Sequence, residues 1–166
     1  MKSLRDIKKL SIDWLKSRGV PEERLSVELL LAHALHCRRI DLYMDPTRPL
    51  SEADLAAFRL LLRRRGKHEP IAYILEHREF YALPFFVDAS VLVPRPETEF
   101  LVDYALELAK AAPKEEPFTF ADIGTGSGCI PISILKNTES NVIGFAVDIS
   151  DSALEVAKKN GETHEI

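Results

Sequence analysis

Apolar residues recur at intervals of three and four over the first 67 positions, the period of helices with one buried stripe. Leu4, Ile7, Leu10, Trp14 and Leu15 mark such a face over residues 3–18, with Ser3 placed to cap it and Gly19 to stop it. Pro21 opens a second helix as its first residue, followed by Glu22 and Glu23. That helix runs through Leu25, Leu29, Ala32 and Leu35 to about His36. A shorter helical piece spans Arg39 to Met44, and Asp45-Pro46 breaks it. Ser51 caps the next helix, with Asp54 three residues on in a capping-box position. Its apolar positions are Leu55, Phe58, Leu61 and Leu62, and Gly66 ends it. The pattern predicts a small helical bundle.

Beyond residue 67 the rhythm changes. Pro70 to Leu75 reads as one more helical turn. Arg78–Tyr81 and Phe85–Asp88 read as two hairpin strands with their turn at Leu83-Pro84. A third short apolar run, Val91–Val93, ends at Pro94-Arg95-Pro96. Pro96 starts a helix with Glu97 and Glu99 in its first turn and Phe100, Leu101, Tyr104 and Leu108 inside. Residues 112–117 form a linker. The strand-like run Phe118–Ile123 then enters the loop Gly-Thr-Gly-Ser-Gly, Gly124 to Gly128. The helix after it begins near Cys129 or Ile130, so that Pro131 falls in the tolerant first turn. A second apolar run, Val142–Val147, ends in Asp148. This is the first βαβ unit of a nucleotide-cofactor fold. The fold class expected is therefore α+β overall: a helical bundle, a short β-hairpin linker, then the start of a Rossmann-like α/β domain.

The glycine spacing narrows the ligand. Nicotinamide loops read G-x-G-x-x-G. Here the third glycine comes one position early and Cys129 stands in its usual place. S-adenosylmethionine carries a sulfonium and no phosphate, and Asp122 ahead of the loop suits a partly cationic ligand. Asp148 suits the hydroxyls of a ribose. The loop therefore favours S-adenosylmethionine over NAD. Ser127 either presents its hydroxyl to the ligand or caps the following helix. Cys129 reads as a small packed residue rather than a nucleophile.

Charge and cysteine content refine the picture. The 166 residues carry a formal net charge of -4 and are 46% hydrophobic, suiting one or two globular domains. Residues 1–67 hold 15 Lys and Arg against 9 Asp and Glu, and the remainder 7 against 17. The basic front half, including Arg63-Arg64-Arg65-Gly66-Lys67, reads as solvated helix faces and a helix C-terminus. Cys37 and Cys129 are not spaced for a zinc site or a disulfide framework. No apolar run is long enough to span a membrane, and the N-terminus does not read as a signal peptide. These features point to the cytoplasm.

Two stretches resemble one family. Leu92-Val93-Pro94-Arg95-Pro96-Glu97-Thr98-Glu99 is similar to the "IPRPETE" signature of the release-factor glutamine methyltransferases, the HemK or PrmC family. Asp122 to Ile130 resembles their cofactor loop, and the likeness extends over nearly the whole chain. It implies methyl transfer from S-adenosylmethionine to the glutamine side-chain amide of the Gly-Gly-Gln motif in peptide chain release factors. It implies a substrate-recognition domain over 1–75, a hairpin connector over 76–95 and the first part of the methyltransferase domain over 96–166. Gly124, Thr125, Gly126, Ser127, Gly128 and Asp148 would bind the cofactor, and Arg95, Glu97 and Thr98 would border the substrate site. No metal, membrane or direct nucleic-acid partner is expected.

The family aims its amide nitrogen with an Asn-Pro-Pro-Tyr motif after the fourth strand. Asn137, Asn141 and Asn160 here are followed by Thr, Val and Gly. The expectation is an N-terminal fragment, catalytically inactive alone, with weak cofactor binding and a tendency to aggregate. The competing readings are a non-catalytic partner-binding module, an adenine-specific nucleic-acid methyltransferase and a NAD-dependent oxidoreductase.

Overall fold

The computed structural model describes residues 3–113 and 115–166. The chain forms two compact units, Met1–Leu75 and Glu76–Ile166.

The first unit is helical. It holds α1 (Leu4–Lys16), α2 (Glu23–Ala34), a 3-10 turn (Arg39–Tyr43), α3 (Glu52–Arg65) and α4 (Ile71–Leu75). Local chemistry sets the starts of α1 and α3. Ser3 Oγ accepts from the Asp6 N–H and Asp6 accepts from the Ser3 N–H; Ser51 and Asp54 repeat the reciprocal pair. Gly19 ends the turn after α1 at φ +68. Pro21 does not open α2. Glu22 takes a left-handed φ of +53 ahead of the helix, which begins at Glu23. The expected face of α2 is also too narrow, because Val27, Leu30, Leu31 and Ala34 are buried as well. α2 packs against α1, α3, α4 and the 3-10 turn, so it is apolar on several sides. Leu10, expected on the inner face of α1, is half exposed.

Two charged groups lie inside this unit. Glu28 is buried, with Lys8 Nζ at 2.7 Å, Arg39 Nε at 3.9 Å and the Tyr43 hydroxyl donating to it. Burial pushes its carboxyl upward, but these donors and cations hold it below the ordinary range. Arg65 departs from the expected solvated face. Its guanidinium is buried and donates to Ser26 Oγ and to the carbonyls of Pro21 and Glu69. Gly66 ends α3 with an ordinary φ of -65, so no left-handed turn demands it. It is a seat for Trp14, whose ring atoms lie 2.4 Å from where a Cβ would stand.

The second unit holds β1 (Arg78–Phe80), β2 (Leu83–Phe85), a 3-10 turn (Pro96–Thr98), α5 (Glu99–Ala111), β3 (Phe118–Ile123), α6 (Cys129–Asn137), β4 (Val142–Val147) and α7 (Asp151–Thr163). The hairpin turn lies at Tyr81-Ala82, not at Leu83-Pro84. Both turn residues take positive φ, +51 and +56, and Pro84 pairs with Glu79 inside β2. Glu99 Oε1 accepts from the Tyr81 N–H and Asp103 accepts from its hydroxyl, so α5 holds the turn. Val91–Val93 forms no strand.

β3 and β4 run parallel, Phe118 facing Val142 through Ile123 facing Val147. Phe120 lies over Gly144, where a Cβ would meet its ring at 2.7 Å. Phe80, Phe85, Val102, Cys129, Ile132 and Ile134 form the core of this unit. On α5 the buried residues are Val102 and Ala109. Phe100, Leu101, Tyr104 and Leu108, expected inside, are exposed, Phe100 by 74%. The expected class, helices followed by the opening of an α/β domain, is the class found.

Candidate functional site: the glycine loop between β3 and α6

The loop leaves the C-terminal end of β3, where open α/β sheets place their ligands. Gly124 and Thr125 both donate to the Val147 carbonyl, at 2.8 and 3.0 Å, so the first half of the loop is an extension of the sheet. Gly124, Gly126 and Gly128 take φ values of +81, +54 and +75. These are left-handed conformations in which a side chain would be strained. Nothing lies within 4 Å of a Cβ built at Gly124, whereas at Gly128 one would meet the Ala157 Cβ at 3.2 Å. The first glycine therefore leaves room for a ligand and the third lets α7 approach.

Asp148 closes β4 and faces the loop. Its Oδ2 accepts from the Gly126 N–H at 2.9 Å and its Oδ1 from the Ser150 N–H at 3.0 Å. The Ser150 and Gly126 N–H groups hold its carboxyl below the usual range. Asp122 lies at the other side of the turn. Its Oδ2 and the Thr125 Oγ1 are buried with no hydrogen-bond partner among the described residues. Burial raises the Asp122 carboxyl; the nearby Thr125 hydroxyl lowers it in part, and Asp148 adds to the rise. Two carboxylates and the Thr125 hydroxyl lie beside a loop with open space at Gly124. Such a lining favours a ligand that brings donors and positive charge over an anionic one.

The remaining expected residues divide. Ser127 is only 2% exposed, and the N-cap of α6 is Gly128, one residue later. α6 begins at Cys129, with Pro131 in its first turn as expected. Cys129 is buried, and burial pushes its thiol up to about 11, leaving it inert as a nucleophile at neutral pH. Arg95, Glu97 and Thr98 sit on the 3-10 turn before α5; Arg95 and Glu97 are exposed, and the Thr98 N–H donates to the Arg95 carbonyl. No described hydrogen bond or ion pair joins these three to the glycine loop. Among the described residues no cluster of His, Cys, Asp or Glu could hold a metal ion. No described helix is long and apolar enough to cross a membrane.

Known proteins resemble this chain over most of its length. A sequence model of the PrmC N-terminal domain matches residues 9–75. A release factor glutamine methyltransferase of Rhodopirellula baltica is 45% identical over 151 residues, 90% of this chain and 51% of that protein. One of Chlorobaculum tepidum is 39% identical over 164 residues, 98% of this chain and 55% of that protein. A third, of Coxiella burnetii, is 42% identical over 143 residues. The chain is similar to release factor glutamine methyltransferases over most of its length. It spans about half the length of the curated relatives it matches.

One residue beside the loop, Asn160, escaped the sequence reading, and so did His164, which lies outside the loop at the hairpin. Asn160 is 1% exposed on α7 and reaches both the loop and the segment after the hairpin. His164 binds the Pro84 carbonyl at 2.7 Å. A signal existed. Asn160 falls on the buried stripe of Ala153 and Val156, where a polar residue needs a partner.

Proposed function

We propose that this chain carries the S-adenosylmethionine loop of a cytoplasmic protein methyltransferase whose substrate is the glutamine amide of the Gly-Gly-Gln motif in peptide chain release factors. The observation that carries the reading is the loop itself. It has open space at Gly124, left-handed glycines at 124, 126 and 128, and the buried, unpartnered oxygens of Asp122 and Thr125. The names of the relatives supply the reaction class and the substrate.

When bound, the cofactor supplies an electrophilic methyl group on a sulfonium. In this reading Gly124 to Gly128 present backbone groups without side chains in the way. Asp148 offers its remaining acceptor positions to ribose hydroxyls, and Asp122 with Thr125 favours a cationic ligand by charge and by unfilled hydrogen bonds. Asp148 suits a ribose of either cofactor, but Asp122 beside the loop would repel a pyrophosphate and favours this group over a dinucleotide. Arg95, Glu97 and Thr98 border the substrate side, and the helical unit recognises the release factor.

The test is a calorimetric titration of this chain with S-adenosylhomocysteine and with NAD. Weak binding of the first and none of the second is expected, with Asp148→Ala reducing the affinity about tenfold or more. Binding of NAD in preference would sink the reading.

A further inference from the structure

We propose that Asn160 is the positioning residue of the glycine loop, holding it in shape from the backbone of the segment that follows the hairpin. The Asn160 carboxamide is fully used. Its Oδ1 accepts from the Phe86 N–H at 2.8 Å, and its Nδ2 donates to the Phe86 carbonyl at 2.9 Å and to the Ser127 carbonyl at 2.9 Å. Both ends of the Ser127–Gly128 peptide are thereby pinned. The Ser127 carbonyl is held by Asn160, and the Gly128 N–H donates to the Thr125 carbonyl at 2.9 Å.

That peptide is the one most in need of pinning. It lies between Gly126 and Gly128, both in left-handed conformations, where glycine has other wells of similar energy. Ala157, one turn before Asn160, packs against Gly128 and fixes the distance between α7 and the loop. The same helix holds the other end of the link. His164 Nε2 contacts the Pro84 carbonyl; since a carbonyl only accepts, Nε2 carries the proton. The His164 ring lies 5.1 Å from that of Phe85, and Lys159 Nζ lies 3.1 Å from the centre of the Phe86 ring. The hairpin segment is thus fastened to α7 at several points. Among the described hydrogen bonds from α7 side chains, the one from Asn160 reaches the loop.

The helix therefore carries two separable functions, and substitution separates them. Asn160→Asp keeps the shape and the acceptor for Phe86 but loses both N–H donors and sets an oxygen against two carbonyls. His164→Leu releases Pro84 and leaves the loop bond intact. Amide hydrogen exchange, followed by NMR without ligand, reads the result. In Asn160→Asp the Gly126 and Gly128 amides are expected to exchange at least about tenfold faster, together with Phe86. In His164→Leu the gain is confined to the hairpin segment. Loop amides that exchange at the wild-type rate in Asn160→Asp would overturn the proposal.

If Asn160→Asp fails to fold, the unsubstituted chain answers the same question. The Asn160 side-chain amide protons and the Gly128 amide are expected to exchange with a common opening rate; clearly unequal rates would refute the link. A ligand arm rests on the cofactor reading above. S-adenosylhomocysteine affinity is expected to fall about tenfold in Asn160→Asp and to stay unchanged in His164→Leu, although the latter melts lower. A wild-type chain that binds no S-adenosylhomocysteine would count against the cofactor reading and leave the exchange result to decide the role of Asn160.

Discussion

The helical unit and the α/β unit use their apolar residues differently. In the first, Leu4, Leu15, Val27, Leu30, Leu31 and Phe58 converge on one core, with α2 surrounded by its neighbours. In the second, Phe80, Phe85 and Ile134 are equally buried, but the sheet is covered on one face. Its other face presents Ile123, Ile143, Phe145 and Val147, and α5 presents Phe100, Leu101 and Tyr104. The charged groups differ in the same way. Glu28 and Arg65 in the first unit are paired or bonded to carbonyls, whereas Asp122 in the second keeps an oxygen without a partner. Among the described residues the first unit leaves one buried side-chain polar atom unpartnered, Arg48 Nε, and the second leaves four, Arg78 Nε, Asp122 Oδ2, Thr125 Oγ1 and Ser133 Oγ. A glycine loop that receives a ligand, as proposed above, cannot also fill its own space.

The largest expected effect tests the two cores. Phe58→Ala, at a ring 2% exposed, is expected to destabilise the helical unit by about 3–5 kcal/mol. Phe145→Ala, at a ring 55% exposed, is expected to change stability by less than about 0.5 kcal/mol and to reduce self-association. Thermal unfolding with light scattering checks both. Comparable losses at the two positions would erase the distinction.

Glu28→Gln comes next, at about 1–3 kcal/mol near pH 7. The Glu28 carboxyl is held below its ordinary range, so its contribution is complete above the unfolded pKa of about 4.3 and is lost as pH falls through the lower folded value. The stability difference between variant and wild type is therefore expected to shrink below about pH 4. A gap that stays constant down to pH 3, measured by urea unfolding, would exclude the ionised carboxylate as its source.

Gly66→Ala is expected to cost about 1–2 kcal/mol by driving a methyl group into the Trp14 ring. Trp14 fluorescence reports it directly, since the indole must shift. The smallest effect has the opposite sign. The Asp122 carboxyl is raised by burial, so its ionised form weighs against the folded state at neutral pH, and stability should rise as pH falls toward its folded value. Asp122→Asn is expected to stabilise the second unit by less than about 1 kcal/mol at pH 7 while weakening ligand binding. A loss of stability would mean that Asp122 has a structural partner after all.

The parts legible in sequence were those whose causes lie within a few residues. Ser3 with Asp6 and Ser51 with Asp54 cap their helices across three positions. The left-handed glycines of the loop and Pro131 in the first turn of α6 follow from backbone sterics alone. The hairpin turn was misplaced because Pro84 is an ordinary turn signal, while Tyr81 and Ala82 are unusual residues for positive φ. Contacts from Glu99 and Asp103, 18 and 22 residues away, hold them there. Gly66 ends α3 as read, but what requires a glycine there is the ring of Trp14 on another helix rather than a left-handed turn.

By itself the sequence determined the order of helices and strands, the glycine loop and the family resemblance, because periodicity, caps and glycine positions act locally and leave a trace in neighbouring residues. The tertiary structure alone decided which apolar faces are covered, why Arg65 is buried, and that Asn160 ties Ser127 to Phe86 across 33 and 74 residues. Such contacts depend on where whole elements pack, and a single buried carboxamide carries no mark of its partners until they are folded around it.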